Sequence, residues 1–446
     1  MKQQPHRSPR RAKLGRRLLS MLCAGAMAAS MLLPATVQAA PAAAPQLNNL
    51  ILDRVYELEP VGGYPEGAHP NDTGFAPYPD LLAENGYTCA PAGKWHLGDS
   101  AHPQHSFSHW YTIGRGGCLY NQADVIEDGK LHFETRYITD LITERALDYL
   151  DECAGQENPF YISVHYTAPH DPWEEDQHPA EYIELYRNCE FTATPDEPLH
   201  PNLFPSTPSG TGEERKRLLR GYYAAVTAMD AGVGRLLDRL EALGLAEDTL
   251  VIFTADNGMN MGHHGIWGKG NGIFPFNLFD TAVKVPFLAR WPQHIRPGRV
   301  TESMCSHYDL IHTFNEMLEL GADLPDFLPG RSFAPVLLED EETDNHIVIL
   351  DEYGSSRMIR TREWKYIHRY PYGPHELYHL SDDPGETQNL ADLPEHAAVQ
   401  AHLLDTLQKW YHTYADPAVT GFGQLRRPGI YSGGLPVYDV DPKYQK

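Results

Sequence analysis

Two glycine-flanked words place chemically active side chains where the backbone can come close to a ligand: Gly93-Lys94-Trp95-His96-Leu97-Gly98 and Ala255-Asp256-Asn257-Gly258. Gly268-Lys269-Gly270 follows the second word, and His170 sits between prolines in Pro169-His170-Asp171-Pro172-Trp173. Two ammonium groups, two imidazoles and a carboxylate–amide pair suit a small tetrahedral oxyanion held beside a hard metal ion. Each piece alone has a plainer explanation. An isolated Asp-Asn-Gly is a turn or a helix cap, Lys94 or Lys269 alone is a solvated charge, and His170 alone is a loop histidine. Their order along the chain, within the topology described next, makes them a set.

The elements that must position these residues are legible from hydrophobic period. Thr135 to about Cys153 has helical spacing, with Ile138, Leu141, Ile142 and Leu150 on one face. A longer helix is predicted over about Glu213 to Leu243, its stripe running from Leu218 to Leu240. Phe160 to Val164, Leu250 to Thr254 and Val285 to Ala289 are apolar strands. Helices alternating with apolar strands predict an α/β fold, a mainly parallel sheet covered on both faces. Ligands of such sheets bind beyond the carboxyl ends of the strands, where His170 and Asp256 both fall.

Thr194 to Gly212 is rich in Pro, Ser and Thr and is expected to be a surface loop. The acidic run Glu339 to Asp344 marks a boundary. Beyond it, strands at His346 to Leu350 and Trp364 to Ile367 and a helix from Glu395 to Tyr411 predict a small C-terminal α+β unit over 345–418. The main domain is expected over 47–340, and 419–446 is a tail.

The 446 residues, 41% apolar and 22% charged, are ordinary for a globular chain of one large or two medium domains. The start differs. Lys2, Arg7, Arg10, Arg11, Lys13, Arg16 and Arg17 precede the apolar run Leu18 to Leu33, and Val37-Gln38-Ala39 offers a small-residue cleavage site. That pattern over 1–39 predicts a secretory signal peptide and export to the periplasm or beyond the cell. The run is shorter than the roughly 20 residues of a membrane span, so no stable membrane insertion is expected. Cleavage would take the formal net charge from −24 to −31. So acidic a surface excludes general nucleic-acid binding. Five cysteines would remain, an odd number at irregular spacings with no zinc-binding CxxC pair.

Taken together, these words resemble the sulfatases of the alkaline-phosphatase superfamily. The resemblance is carried by Ala92 to Gly98, Ala168 to Trp173, Phe253 to Gly258, Gly262 to Gly270, Val285-Pro286-Phe287 and Gly330-Arg331-Ser332. Near the end, Glu376 to Leu380, Asp383 to Glu386 and Asn389-Leu390 match the family's C-terminal signature. The resemblance implies that Lys94 and Lys269 bind sulfate oxygens and that His96 hydrogen-bonds the nucleophile's hydroxyl. It implies that His170 protonates the leaving alcohol, and that Asp256 and Asn257 are two of the ligands of a Ca²⁺ cofactor. The implied ligand is a sulfated small molecule or glycan.

The departure is at the front. Sulfatases open with a strand ending in paired aspartates, then a Cys-x-Pro-x-Arg word whose cysteine becomes the formylglycine nucleophile, with serine in its place in some relatives. Here Asp53 is followed by Arg54 rather than by a second acid. Cys89-Ala90-Pro91-Ala92-Gly93 lacks the arginine and is expected to lie in the strand leading to Lys94. Two oxygen ligands fall short of the roughly six to eight that calcium takes. Without the nucleophile the covalent route is closed, and loss of the first strand should expose sheet edges. The expectation is a sulfuric-ester hydrolase by family with its chemistry lost. The alternatives are a non-catalytic binder of sulfated ligands, or a phosphoesterase or phosphonate hydrolase relative.

Overall fold

The computed structural model describes residues 28–34, 77–95, 100, 102–104, 106–114, 117–350, 356–369 and 373–414. His96, Asp53, the tail and most of the expected leader lie outside them. In chain order the elements are β1 (Ala28–Pro34), α1 (Tyr78–Glu84), β2 (Thr88–Lys94), β3 (Tyr111–Ile113), β4 (Ala123–Glu127) and β5 (Lys130–Glu134). Next come α2 (Ile138–Ala154), β6 (Phe160–His165), α3 (Ala180–Leu185), α4 (Gly212–Ala242) and β7 (Thr249–Ala255). They are followed by β8 (Asn260–Met261), β9 (Trp267–Gly268), α5 (Asp280–Val283), β10 (Leu288–Arg290), α6 (Leu310–Met317) and α7 (Ala334–Leu338). The C-terminal unit comprises β11 (Ile347–Leu350), β12 (Ser356–Arg360), β13 (Trp364–Arg369), β14 (Glu376–His379) and α8 (Ala397–Tyr414).

The large sheet has the order β10-β7-β1-β6-β2-β3-β4-β5. Strands β7, β6, β2, β3 and β5 run one way, and β10, β1 and β4 run the other. The sheet is thus mixed, its common direction set by the strands that precede the motif words. Helices α2 and α4 cover one face, where Ile138, Ile142, Ala225 and Leu236 pack on Ala90, Ala92, Ile162 and Val164. Helices α1 and α6 cover the other, where Leu82, Ile311 and Phe314 meet Cys89, Tyr161 and Ile252. Trimming one of these buried aliphatic side chains to alanine costs about 2–5 kcal/mol. Gly232 lets α4 close on α2, because a Cβ there would sit 2.5 Å from Thr143 Oγ1 and 2.8 Å from Tyr166 Oη.

Three boundaries move. The helix expected from Thr135 starts at Ile138, three residues after it, because Tyr137 is extended and forms its N-cap. The strand expected over Val285 to Ala289 is Leu288–Arg290, the stretch that pairs with β7. The C-terminal helix begins at Ala397, after a single 3₁₀ turn over Pro394–His396.

The exposed sheet edges expected from the missing first strand are not present. Residues 28–34, inside the apolar run expected to be a leader, form β1, which pairs antiparallel with both β6 and β7. Ala29 faces His165 on one side and Thr254 on the other. A short apolar segment satisfies two backbone ladders there, and such ladders are costly to leave unpaired.

The C-terminal sheet has the order β11-β12-β13-β14, all antiparallel, with α8 packed on it. Its seam with the main domain is ionic. Lys365 of β13 is fully buried, its Nζ 2.5 Å from Asp280 Oδ1, 2.6 Å from Glu386 Oε1 and donating to Leu278 O at 3.0 Å. Arg360 donates to Asp280 Oδ2 at 3.0 Å. Among the described residues no helix is long and apolar enough to cross a membrane.

Candidate functional site at the strand rim

Strand register puts the motif words on one rim. Gly93 is level with His165 across the parallel β2–β6 pair, His165 with Ala29, and Ala29 with Thr254. Lys94, His165 and Asp256 therefore sit at or just past the carboxyl ends of β2, β6 and β7, within a span of roughly 15 Å at the usual strand spacing. Gly93 is required there. Its φ is +119°, and a Cβ would collide with the carbonyl oxygen of His165.

Lys94 is half-buried, and its carbonyl oxygen is 3.1 Å from His165 Nδ1. The other ring nitrogen of His165 meets Ser163 Oγ. Burial lowers the His165 pKa to about 4, with the Lys94 carbonyl and the Asp256 charge pulling the other way. His165 is therefore a neutral spacer between the lysine and the aspartate at neutral pH. Asp256 is exposed, and its Oδ1 accepts from Asn257 N–H at 2.8 Å. The Asn257 amide donates to Gly258 O at 2.8 Å. The Asp256 charge also acts on His307, an exposed imidazole near this carboxylate.

A second group hangs over the rim from the loop after β6. His170 Nδ1 lies 3.0 Å from Asp171 Oδ1 and 2.9 Å from Asp171 O, and Tyr120 Oη donates to His170 O at 2.9 Å. With Nδ1 spent on those acceptors, Nε2 is the nitrogen left for a ligand. Burial alone would raise the Asp171 carboxyl, but the His170 hydrogen bond and the charges of His170 and Lys269 outweigh it and hold it low. Lys269 is thus near this pair. The segment Cys118–Tyr120 bridges the two groups, since Cys118 feels Lys94 while Tyr120 feels both Cys118 and Asp171.

The structure thus gathers Lys94, Asp256 and Asn257 at the strand ends, and His170 with Lys269 in the loops above, while His96 lies outside the described residues. Sequence reasoning missed His165, Asp171, His307 and Cys118. The one signal for His165 was a polar residue closing the apolar run Phe160 to Val164.

Neither the metal nor the nucleophile finds its residues among those described. Asp256 and Asn257 supply one carboxylate and one amide oxygen, and the other neighbours are imidazoles. No group of three or more His, Cys, Asp or Glu side chains is placed to hold a metal ion among the described residues. Those two oxygens are of the kind calcium takes but, among the described residues, too few to complete its shell. Cys89, in the chain's Cys-x-Pro triplet, is buried in β2 about five residues, roughly 16 Å, before Lys94. Burial pushes its thiol up to about 12. Cys118, the thiol that senses Lys94, is pushed by burial up to about 11. Both are protonated and poor nucleophiles at neutral pH.

Two family models match the chain: Sulfatase over residues 25–320, and the C-terminal region of N-sulphoglucosamine sulphohydrolase over 262–413. An N-acetylglucosamine-6-O-sulfatase of Bacteroides thetaiotaomicron is 27% identical over 418 residues, an alignment covering 76% of this chain and 73% of that protein. An ulvan-active sulfatase of Formosa agariphila is 27% identical over 354 residues, and the chain spans 64% of its length. A solved structure described as in complex with its substrate D-glucosamine-2-N,6-O-disulfate superposes with TM-score 0.63 at 24% identity, covering 76% of this chain and 82% of that one. At that identity the likeness carries the fold alone, but the family model spans most of the chain with the rim words inside it, and the chain belongs to the sulfatase family.

Proposed function

We propose that this protein binds sulfated saccharides or smaller sulfate esters at the strand rim and does not hydrolyse them by the covalent route. The observation that supports the reading is a mismatch. The rim brings together cations and a fixed imidazole that suit a sulfate group, whereas the thiol leading to it is buried, the thiol near it is half-buried, and both are held protonated. Lys94 and Lys269 would offset sulfate charge, and His170 Nε2 would face the bridging oxygen. Export belongs to this reading, with residues 28–34 kept in the sheet rather than removed with a leader, as does a low calcium content, because the described donors fall short of a calcium shell.

The test pairs binding with turnover. Calorimetric titration of the full chain with an N- or O-sulfated glucosamine should show binding that Lys94→Ala and Lys269→Ala each weaken by about tenfold, the scale of one charge-assisted contact. Release of the alcohol from an aryl sulfate, and from an aryl phosphate or phosphonate, should be undetectable. Aryl sulfate turnover that Lys94→Ala abolishes would overturn the reading. Stoichiometric calcium by elemental analysis would contradict the incomplete metal site.

A further inference from the structure

Away from the rim, a cavity of about 270 Å³ opens where the main domain meets the C-terminal unit. Its walls come from four separate segments: the residues entering α6, the Gly330-Arg331 turn, the lead into β11, and the last turns of α8. The Gly330-Arg331-Ser332 word therefore has a place in the fold, although the rim does not use it. Pockets that hold small ligands start at roughly 300 Å³, so this one is sized for a single ring rather than a chain.

Aromatic and cationic groups share the lining. Trp410 is flanked by Tyr308 (centroids 6.1 Å apart, planes at 45°) and Tyr414 (5.1 Å, 58°). Neither neighbour lies flat on the indole, so neither uses its face as a stacked partner would. Arg331 is exposed and its guanidinium forms no ion pair among the described residues. Lys409 pairs with Asp405 at 2.6 Å, but both are exposed, and such a pair is cheap to redirect. The carboxylate in the wall, Asp309, is already satisfied: it accepts from Ser306 N–H at 2.7 Å and from Arg331 N–H at 3.0 Å. Asn345 also lines the cavity, its amide donating to Met304 O and Thr343 Oγ1 at 3.4 Å each.

An aromatic face flanked by an unspent guanidinium, with amide and hydroxyl groups around it, suits a ligand with an apolar ring face, several hydroxyls and one negative group. We infer that this cavity is a second binding site, separate from the rim, for a single pyranose carrying one anionic group. Arg331 takes the anionic group and Trp410 takes the ring face. The shared chemistry has two sources, a uronate carboxylate and a sulfate ester. This inference does not depend on the rim reading, since it uses none of its residues.

Calorimetric titration of the full chain carrying Lys94→Ala and Lys269→Ala, which together remove the rim's hold on a sulfate ester, with glucuronic acid, glucose 6-sulfate, glucose and sodium sulfate tests it. Both anionic sugars should bind, with glucose and sulfate alone each at least about tenfold weaker. The tighter of the two names the group that the site is built for. Arg331→Gln should cost about tenfold for the anionic sugars and erase their advantage over glucose. Trp410→Ala should weaken every sugar, and Trp410→Phe should restore most of the loss. Equal affinities with and without Arg331→Gln would overturn the assignment. Arg331 is exposed, so its variant decides the matter even if Trp410→Ala fails to fold.

Discussion

Two ionic regions of this molecule use similar side chains to opposite ends. At the seam, Lys365, Arg360, Asp280 and Glu386 spend their charges on one another, and the ammonium has no water on it at all. At the rim, Lys94, Lys269 and Asp256 are spread over three segments, the Asp256 carboxylate is exposed, and His170 Nδ1 lies 3.0 Å from Asp171 Oδ1. A buried cluster of that kind fixes one docking of two units, because breaking it strands an uncompensated charge. At the rim the Asp256 carboxylate instead faces solvent, open to an outside partner. The lesson is that a cation's role follows from how its field is already used, and not from its type.

The largest effect expected from this contrast is on Lys365→Met. It should lower stability to urea by about 3–5 kcal/mol, because two carboxylates then lose their buried partner. A loss under about 1 kcal/mol would mean that the seam is no tighter than a surface pair.

A finer separation lies within the seam. Burial raises both carboxyls, but around Asp280 the Lys365 and Arg360 charges win and bring its pKa to about 2, whereas burial wins at Glu386. Asp280 therefore contributes stability above its unfolded value near 3.8, lost as pH falls toward 2. Glu386, shifted upward, works in the opposite sense. Asp280→Asn should cost more stability than Glu386→Gln at pH 7, and the difference should close near pH 2. Equal costs at pH 7 would blur the assignment.

At the rim the ranking inverts. Lys94→Ala should change the melting temperature little while weakening binding of a sulfate ester, so a large fall in stability would make this lysine a second structural cation. The smallest effect is reserved for the exposed pair Arg136–Glu144, 2.9 Å apart, whose removal should not measurably alter stability or binding.

How much of this was legible in the sequence depended on whether the deciding physics was local. Helix α4 and strands β6 and β7 announced themselves by period, and the rim words fell at strand ends because glycines such as Gly93 permit nothing bulkier. His165 did not stand out, since one histidine closing a strand looks like any other until its neighbours are known. Lys365 carries no local sign of its burial, which depends on partners 85 residues upstream and 21 downstream. The antiparallel strands β1, β4 and β10 were hidden because pairing direction is decided across the sheet rather than along the chain. The apolar run from Leu18 to Leu33 met two descriptions at once, and composition could not choose between them.

That double description has a consequence for biogenesis. Any peptidase cutting after Ala39 would carry away the ribbon wedged between the sixth and seventh strands, and uncouple the two halves of the principal layer. Residues 28–34 cannot serve as a discarded export tag and as a permanent structural spline in the same molecule.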